Sequence, residues 1–199
     1  MLNGFYVAKF EKVSLDQFKK DMNKYVRNNI WTLGIMDYYS MTDKSDETFD
    51  KFCELIYEDI KIPARATYQS AGYDFFMPFG MSLPRSESIV IPTGIRCAIV
   101  QGHSLDIYPK SGLGFNYNLK ICNTIGIIDS DYYHSSNEGH IMVKIENVGF
   151  NGTDTDDHVI NFAEGKSFVQ GIFHEVFQAS NDEDNINMVK RDGGIGSTK

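Results

Sequence analysis

Two stretches of the chain carry apolar residues at the three- and four-residue spacing that is typical of an amphipathic helix. Ser14 with Gln17 three residues later forms a capping-box pattern ahead of the first stretch, which contains Leu15, Phe18, Met22 and Tyr25. The second stripe must end by Pro63 and comprises Phe49, Phe52, Cys53, Ile56, Tyr57 and Ile60. We therefore predict a helical insertion of two helices over residues 14–60, after a first strand at 5–10.

From residue 62 onwards the pattern changes to short runs in which apolar and polar residues alternate, as in Ile95, Cys97 and Ile99. All five prolines of the chain lie between residues 63 and 109, where they separate these runs. Many short strands with turns between them indicate a sandwich, barrel or jelly roll. We predict an all-β core over residues 62–180 and a polar, glycine-rich C-terminal arm over residues 181–199.

Composition narrows the class of protein. The chain has 199 residues, 42% of them apolar, which suits one compact domain. A net charge of -8 argues against nucleic-acid binding as the main function, because such surfaces are basic. No apolar run approaches the ~20 residues that span a bilayer, and the three cysteines show no paired spacing. We expect a soluble, cytoplasmic protein that does not bind membranes.

The stretch from Asn123 to Tyr132 combines a turn, an apolar run, two carboxylates and an aromatic residue within ten positions. The alternating residues on either side of it predict strands, so its polar groups are expected at the mouth of a hairpin. A rigid sheet can aim such groups at a ligand. Taken alone, however, Asp-x-Asp-Tyr is more typical of a solvated turn than of a catalytic centre.

Two further segments have the composition of anion-binding sites. Residues 109–114 place Lys110, Ser111 and two glycines at a strand end, which is also the composition of an ordinary turn. In the C-terminal arm, Arg191 precedes a glycine-rich run from which backbone N–H groups can wrap around a phosphate. A disordered tail is the alternative, and the arm is not a Walker loop, since no Gly-Lys-Ser/Thr opens a helix after a strand.

Five segments in this order resemble the five motifs of the trimeric deoxyuridine triphosphatase (dUTPase) family: residues 71–75, 109–114, 123–132, 165–170 and 191–198. The third motif matches nearly position by position, and the spacings between the motifs also fit. The resemblance covers residues 62–199 and the first strand. It implies a jelly-roll-like β fold, a homotrimer with active sites shared between chains, and hydrolysis of dUTP to dUMP and pyrophosphate with Mg²⁺.

The resemblance also implies roles for individual residues. Asp129 matches the general base that activates a water for attack on the α-phosphorus. Tyr132 matches the aromatic residue packed against the deoxyribose. Asn123, with backbone groups of the hairpin that include Gly126, matches the reader of the uracil edge.

Phosphate and metal contacts follow from the other four motifs. Lys110, Ser111, Gly112 and Gln170 match phosphate-binding positions, and Asp74 matches a carboxylate that reaches Mg²⁺ through water. The arm that closes over the triphosphate corresponds to Arg191, Gly194, Ile195, Gly196, Ser197 and Thr198.

Three positions depart from the family pattern. Lys110 and Ser167 stand where the family usually has arginine, and Ile195 replaces a phenylalanine that stacks on uracil. We therefore expect active enzyme with weaker substrate binding. The extra residues 133–140 include His134, Glu138 and His140, which suggest a metal site; we expect a longer solvated hairpin instead.

Several alternatives stay open at this point. The helical insertion either packs on the β domain, which we favour, or binds a protein partner, as in some phage members of the family. The related dCTP deaminases share the fold, but they need a glutamate base and a Ser/Arg cluster that is not seen around the third motif. A regulatory protein on a decayed scaffold is the non-enzymatic alternative, against which the intact Asp129, Tyr132, Asn123 and Ser111 argue.

Overall fold

Short strands dominate the computed structural model, which describes residues 6–30, 33–35, 45–149 and 158–182. The strands in this part of the chain are β1 (Ala8–Lys12), β2 (Ala64–Arg65), β3 (Tyr73–Phe76), β4 (Met81–Leu83), β5 (Ser88–Pro92), β6 (Ile95–Ile99), β7 (His103–Pro109), β8 (Leu119–Ile121), β9 (Gly126–Asp129), β10 (Met142–Asn147), β11 (Ile160–Phe162) and β12 (Ser167–Glu175). The helices are α1 (Leu15–Tyr25), α2 (Asp46–Asp59) and α3 (Ser111–Tyr117), with 3₁₀ turns at Arg27–Asn29 and Ser130–His134.

Every strand pairing is antiparallel. The largest sheet has the order β2-β3-β12-β7-β9, a second has the order β5-β10-β8, and β1-β6 and β4-β11 form two-stranded pairs. Non-consecutive neighbours such as β12 and β7 show that the chain returns repeatedly between sheets, as expected for the predicted all-β class.

Both predicted helices are present, and each begins at a serine cap. The Ser14 hydroxyl accepts a hydrogen bond from the Gln17 amide at 3.1 Å, and the Ser45 hydroxyl accepts one from Thr48 at 3.2 Å. Only half of the expected capping box forms, because the Ser14 amide donates to the Glu138 carboxylate at 2.8 Å.

The helices share the hydrophobic core of the β domain. Helix α1 packs against α2 and β5, and the fully buried Phe18 and Met22 belong to the same cluster as Ile91 and Ile145 of the strands. At the other end of the insertion, the Lys12 ammonium donates to the Tyr57 carbonyl of the last turn of α2 at 2.7 Å. The apolar stripes of the insertion therefore pack on the β core.

The first strand lies slightly later than predicted. Within the described residues it runs from Ala8 to Lys12, so Tyr6 and Val7 precede it and Glu11 and Lys12 extend it beyond the predicted end. Its register with β6 pairs Ala8 with Ile99 and Lys12 with Ile95. Pairing with a distant strand determines these limits, whereas local β propensity extends further towards the N-terminus.

The central hairpin is more complex than expected. Its two flanking strands, β8 and β10, do pair, with Ile121 opposite Ile145. Between them, however, residues 126–129 leave that sheet and form β9, which pairs with β7 in the five-stranded sheet. The stretch from Asn123 to Tyr132 therefore bridges two sheets.

The expectation of a solvated hairpin over residues 133–140 is wrong. His140 has no exposed surface, and its Nδ1 atom lies 2.7 Å from the Asp21 carboxylate of α1. Glu138 accepts hydrogen bonds from the amide and the hydroxyl of Ser14 at 2.8 and 2.6 Å. The segment therefore joins the helices to the β core. Within the described residues, no group of three or more His, Cys, Asp or Glu side chains is arranged to hold a metal ion.

None of the helices in the described ranges has both the length and the apolar character that crossing a membrane requires.

Candidate active site

The first, second and fourth motifs meet at one end of the five-stranded sheet. The register places Asp74 of β3 opposite Gln170 of β12, and Gln170 opposite Tyr108 of β7, so these side chains share one face. Just beyond β7, the Lys110 ammonium donates to the Asp74 carboxylate and to the Ser167 hydroxyl, both at 2.6 Å. We call Asp74, Lys110 and Ser167 the lysine cluster.

The lysine cluster is partly sheltered from water. The Asp74 side chain is 14% exposed and that of Lys110 35% exposed. An ammonium has three N–H donors, and two of those on Lys110 are occupied by Asp74 and Ser167. One donor thus points to neither partner and suits an anionic oxygen. Lys110 and Ser167, which both replace an arginine of the family pattern, therefore contact each other.

Ser111 and Gly112 lie beside this cluster in the first turn of α3, and both are exposed. The first amides of a helix have no partner within the helix. The first intrahelical hydrogen bonds of α3 run from the amides of Leu113 and Gly114 to the Lys110 carbonyl. The Ser111 hydroxyl and the first amides of the turn are therefore accessible to a phosphate.

The Gln170 side chain lies so close to position 72, in the first motif, that only glycine fits there without displacing it. Its Nε2 atom donates to the Pro109 carbonyl at 3.4 Å, and its Oε1 atom would lie 2.7 Å from a Cβ atom added at Gly72. Any larger residue at position 72 would displace the Gln170 side chain. The spacing of Gly72 before Asp74 in the sequence signals this close approach.

Asp129 ends β9 opposite Ser104 of β7. It is exposed and it borders a cleft of about 400 Å³ lined by Gln101, Gly102, His103, Ser104, Asp129, Ser130, Val176, Phe177 and Gln178. The Ile128 side chain before it packs on the core while Ile127 is exposed, so the period-two alternation of β9 places Asp129 on the outer face.

Asn123 lies in the turn that leads into β9. The carbonyl of Asn123 accepts from the Ile125 amide at 2.7 Å, and Thr124 has a positive φ of 66°. The side-chain Nδ2 atom of Asn123 would lie 3.8 Å from a Cβ atom at Gly126. The side-chain amide of Asn123 and the bare backbone of Gly126 are therefore adjacent.

Tyr132 is almost fully buried, with 4% of its surface exposed. Its hydroxyl donates to the His140 carbonyl at 2.9 Å and accepts from the Asn137 side chain at 2.8 Å. The ring is therefore held firmly by the segment that follows it in the sequence. Sequence reasoning missed Asn137 and His140 in this role.

One chain does not bring all of these residues together. Three strand spacings across the sheet and four residues along it separate Asp74 from Asp129, which amounts to about 20 Å. Ser104, Asp106, Tyr108 and His174 occupy the face between them, with the Tyr108 hydroxyl 3.4 Å from His174. We assigned no role to His174 from the sequence, although the polar alternation along β7 marks this face. The six candidate residues from Arg191 to Thr198 lie outside the described residues.

The family model described as dUTPase matches residues 58–199. The chain belongs to the dUTPase family. The prediction made from the five motifs is thereby confirmed, and the match begins at the end of α2, so most of the two helices lies outside the family model.

Similar proteins agree with this assignment. A deoxyuridine 5'-triphosphate nucleotidohydrolase of Lactococcus lactis is 36% identical over 140 residues, which cover 70% of this chain and 88% of that protein. The crystal structure of the dUTPase from Streptococcus mutans superposes with a TM-score of 0.53 at 26% identity, covering 70% of this chain and 95% of the other. The dUTPase from phage phi11 of S. aureus, at 21% identity and a TM-score of 0.51, shares the fold over 67% of this chain and 92% of its own.

Membership of the family confirms the jelly-roll-like, all-β fold and identifies the chain as an enzyme, a dUTP diphosphatase. Within the described residues, candidate site residues occupy two ends of the five-stranded sheet. Asp74, Lys110 and Gln170 lie at one end, and Asp129 lies at the other.

Proposed function

We propose that this enzyme hydrolyses dUTP to dUMP and pyrophosphate, with Asp129 as the general base. A water gives a proton to the Asp129 carboxylate while its oxygen bonds to the α-phosphorus, and the bond from that phosphorus to the bridging oxygen of the leaving pyrophosphate breaks. The observation that carries the proposal is the exposed Asp129 at a strand end beside a cleft of about 400 Å³. A positioned carboxylate contributes about 10²–10⁴-fold to such a step.

The phosphates are bound, in this proposal, by the opposite end of the sheet of a neighbouring chain. The separation of about 20 Å between Asp74 and Asp129 is too large for one triphosphate to span alongside its nucleoside. A homotrimer with shared sites removes this difficulty, because Lys110, Ser111, Gly112 and Gln170 of one chain then face Asp129 of another. Arg191, Gly194, Ile195, Gly196, Ser197 and Thr198 close over the phosphates.

The described residues fit a Mg²⁺ ion held mainly by the substrate. Asp74 is paired with Lys110 at 2.6 Å, so this corner carries no excess negative charge that would retain a free dication. Mg²⁺ keeps several waters and is commonly bound through one carboxylate and substrate phosphates. Asp74 would hold the ion through water. The ion supplies charge neutralisation of the phosphates.

Selection of the substrate rests on the third motif. The Asn123 amide and the backbone at Gly126 read the uracil edge, and the ring of Tyr132 packs against the deoxyribose. Unpaired buried polar groups cost about 1–3 kcal/mol each, so a base with the wrong donor pattern is rejected. A ribose hydroxyl is excluded by lack of space beside Tyr132, which its hydrogen bonds to Asn137 and His140 keep in place.

The test is pyrophosphate release from dUTP with Mg²⁺ by the wild type, Asp129→Asn and Asp131→Asn. We expect Asp129→Asn to lower kcat by about 10²–10⁴-fold, because an amide does not accept the proton of the attacking water. Asp131→Asn is the matched control two residues away on the 3₁₀ turn, and its rate should stay near that of the wild type. Wild-type turnover by Asp129→Asn would refute the assignment of the base, and ammonia release from dCTP would indicate a deaminase.

A further inference from the structure

A chain of buried polar groups connects helix α1 to Tyr132. The Gln17 side-chain amide donates to the Asp21 carboxylate at 2.6 Å, and the same oxygen lies 2.7 Å from Nδ1 of His140. The His140 carbonyl in turn accepts from the Tyr132 hydroxyl at 2.9 Å. Gln17, Asp21, His140 and Tyr132 are all less than 9% exposed.

The direction of these hydrogen bonds fixes the form of the histidine. The Gly94 amide donates to Nε2 of His140 at 2.8 Å, so Nε2 must present its lone pair. A neutral imidazole then carries its proton on Nδ1, which donates to Asp21. The ring is thus held between the helix and the β core by a bond at each nitrogen.

Such a network is costly unless it is fully satisfied. Each polar atom of the His140 ring has a partner, and Phe18 of α1 lies against the ring with centroids 6.2 Å apart. On the other side, Asn137 donates to the Tyr132 hydroxyl, and the Ser135 hydroxyl donates to the Tyr132 carbonyl at 2.7 Å. Tyr132 therefore has one well-defined position, and the backbone of His140 helps to define it.

We propose that Asp21 and His140 are positioning residues for Tyr132, so that helix α1 sets the sugar specificity of the enzyme. Asp21 holds the imidazole, the imidazole holds the backbone of residue 140, and the carbonyl of that residue holds the Tyr132 hydroxyl. This inference rests on the proposed contact of Tyr132 with the deoxyribose. A residue outside the family's five motifs thereby controls the space available for a ribose 2′-hydroxyl.

The readout is the ratio of kcat/KM for dUTP to that for UTP, because loss of stability alone does not change it. We expect Asp21→Ala to lower the ratio about tenfold, the factor that corresponds to one lost buried hydrogen bond. Asp21→Asn keeps an acceptor for the His140 N–H and should restore most of the ratio. Met22→Ala, on the same helix and also buried, is the matched control: it weakens packing and should leave the ratio unchanged.

The double variant Asp21→Leu/His140→Phe covers the case in which Asp21→Ala does not fold. Replacing a buried polar pair by apolar residues of similar volume usually preserves the fold, and we expect the ratio to fall here too. Tyr132→Ala distinguishes failure of the coupling to α1 from failure of the proposed sugar contact of Tyr132. If Tyr132→Ala lowers the ratio but neither Asp21→Ala nor the double variant does, the coupling to α1 is refuted. If Tyr132→Ala also leaves it unchanged, the role of Tyr132 itself is wrong.

Discussion

Removing the Ser167 hydroxyl tests whether the lysine cluster binds phosphate. In Ser167→Ala, the Lys110 ammonium loses one of two acceptors, each 2.6 Å away, and keeps Asp74. A hydrogen bond to a charged group contributes about 1.5–3 kcal/mol. Because the Lys110 side chain is 35% exposed, water replaces part of the lost interaction, and about 1 kcal/mol remains.

A loss of about 1 kcal/mol corresponds to roughly a fivefold decrease in kcat/KM. We expect the decrease mainly as a higher KM for dUTP, since the proposed role of the ammonium is to contact the phosphates both before and during the reaction. The assay is the initial rate of pyrophosphate release over a range of dUTP concentrations. Ser88→Ala, at an exposed position of β5, is the control for replacing a serine elsewhere on the surface.

Two results would contradict this reasoning. An unchanged kcat/KM in Ser167→Ala would mean that Asp74 alone positions Lys110. A decrease in kcat with KM constant would place the cluster in the chemical step instead of phosphate binding.

Two further predictions concern stability. Hydrogen bonds from Lys9 and Tyr133 and a contact with Arg96 lower the pKa of Glu11 to about 2. Glu11→Gln should therefore lower the free energy of unfolding, measured by urea denaturation above pH 4.5, by about 1–2 kcal/mol after allowance for solvent screening. The difference from wild type should shrink as the pH falls towards 2, and a difference that grows would refute the linkage. Phe18→Ala, at a fully buried site, should lower the unfolding free energy by about 3–5 kcal/mol in the same assay; a loss below 1 kcal/mol would mean that α1 is not part of the core.

Local patterns were sufficient to predict the helices. The apolar stripes that begin at Leu15 and Phe49 mark the two helices, and the capping-box serine, Ser14, lies directly before the first of them. Such signals need no knowledge of distant residues. The family motifs singled out Asp74 and Gln170 separately, and the strand register is what shows that they lie opposite each other, with Gly72 against the Gln170 side chain.

Contacts between distant residues were not predictable in this way. Asp21 and His140 are 119 positions apart, and a buried polar pair leaves no periodic signal in either segment. The same holds for β9, whose four residues resemble part of a hairpin until the partner strand β7 is known. Lys110 and Ser167 were each recognised as departures, but only their 2.6 Å contact shows that the two belong together.

The bond between Asp21 and His140 also constrains how this chain can have evolved. A fully buried histidine at position 140 without α1 would lose its Nδ1 acceptor, and Asp21 without the histidine would be a buried, poorly compensated charge. A substitution at either position leaves the other group without this partner, so the two positions are expected to change together. A chain shortened by removal of the insertion is accordingly expected to be more stable with an apolar or small side chain in place of His140.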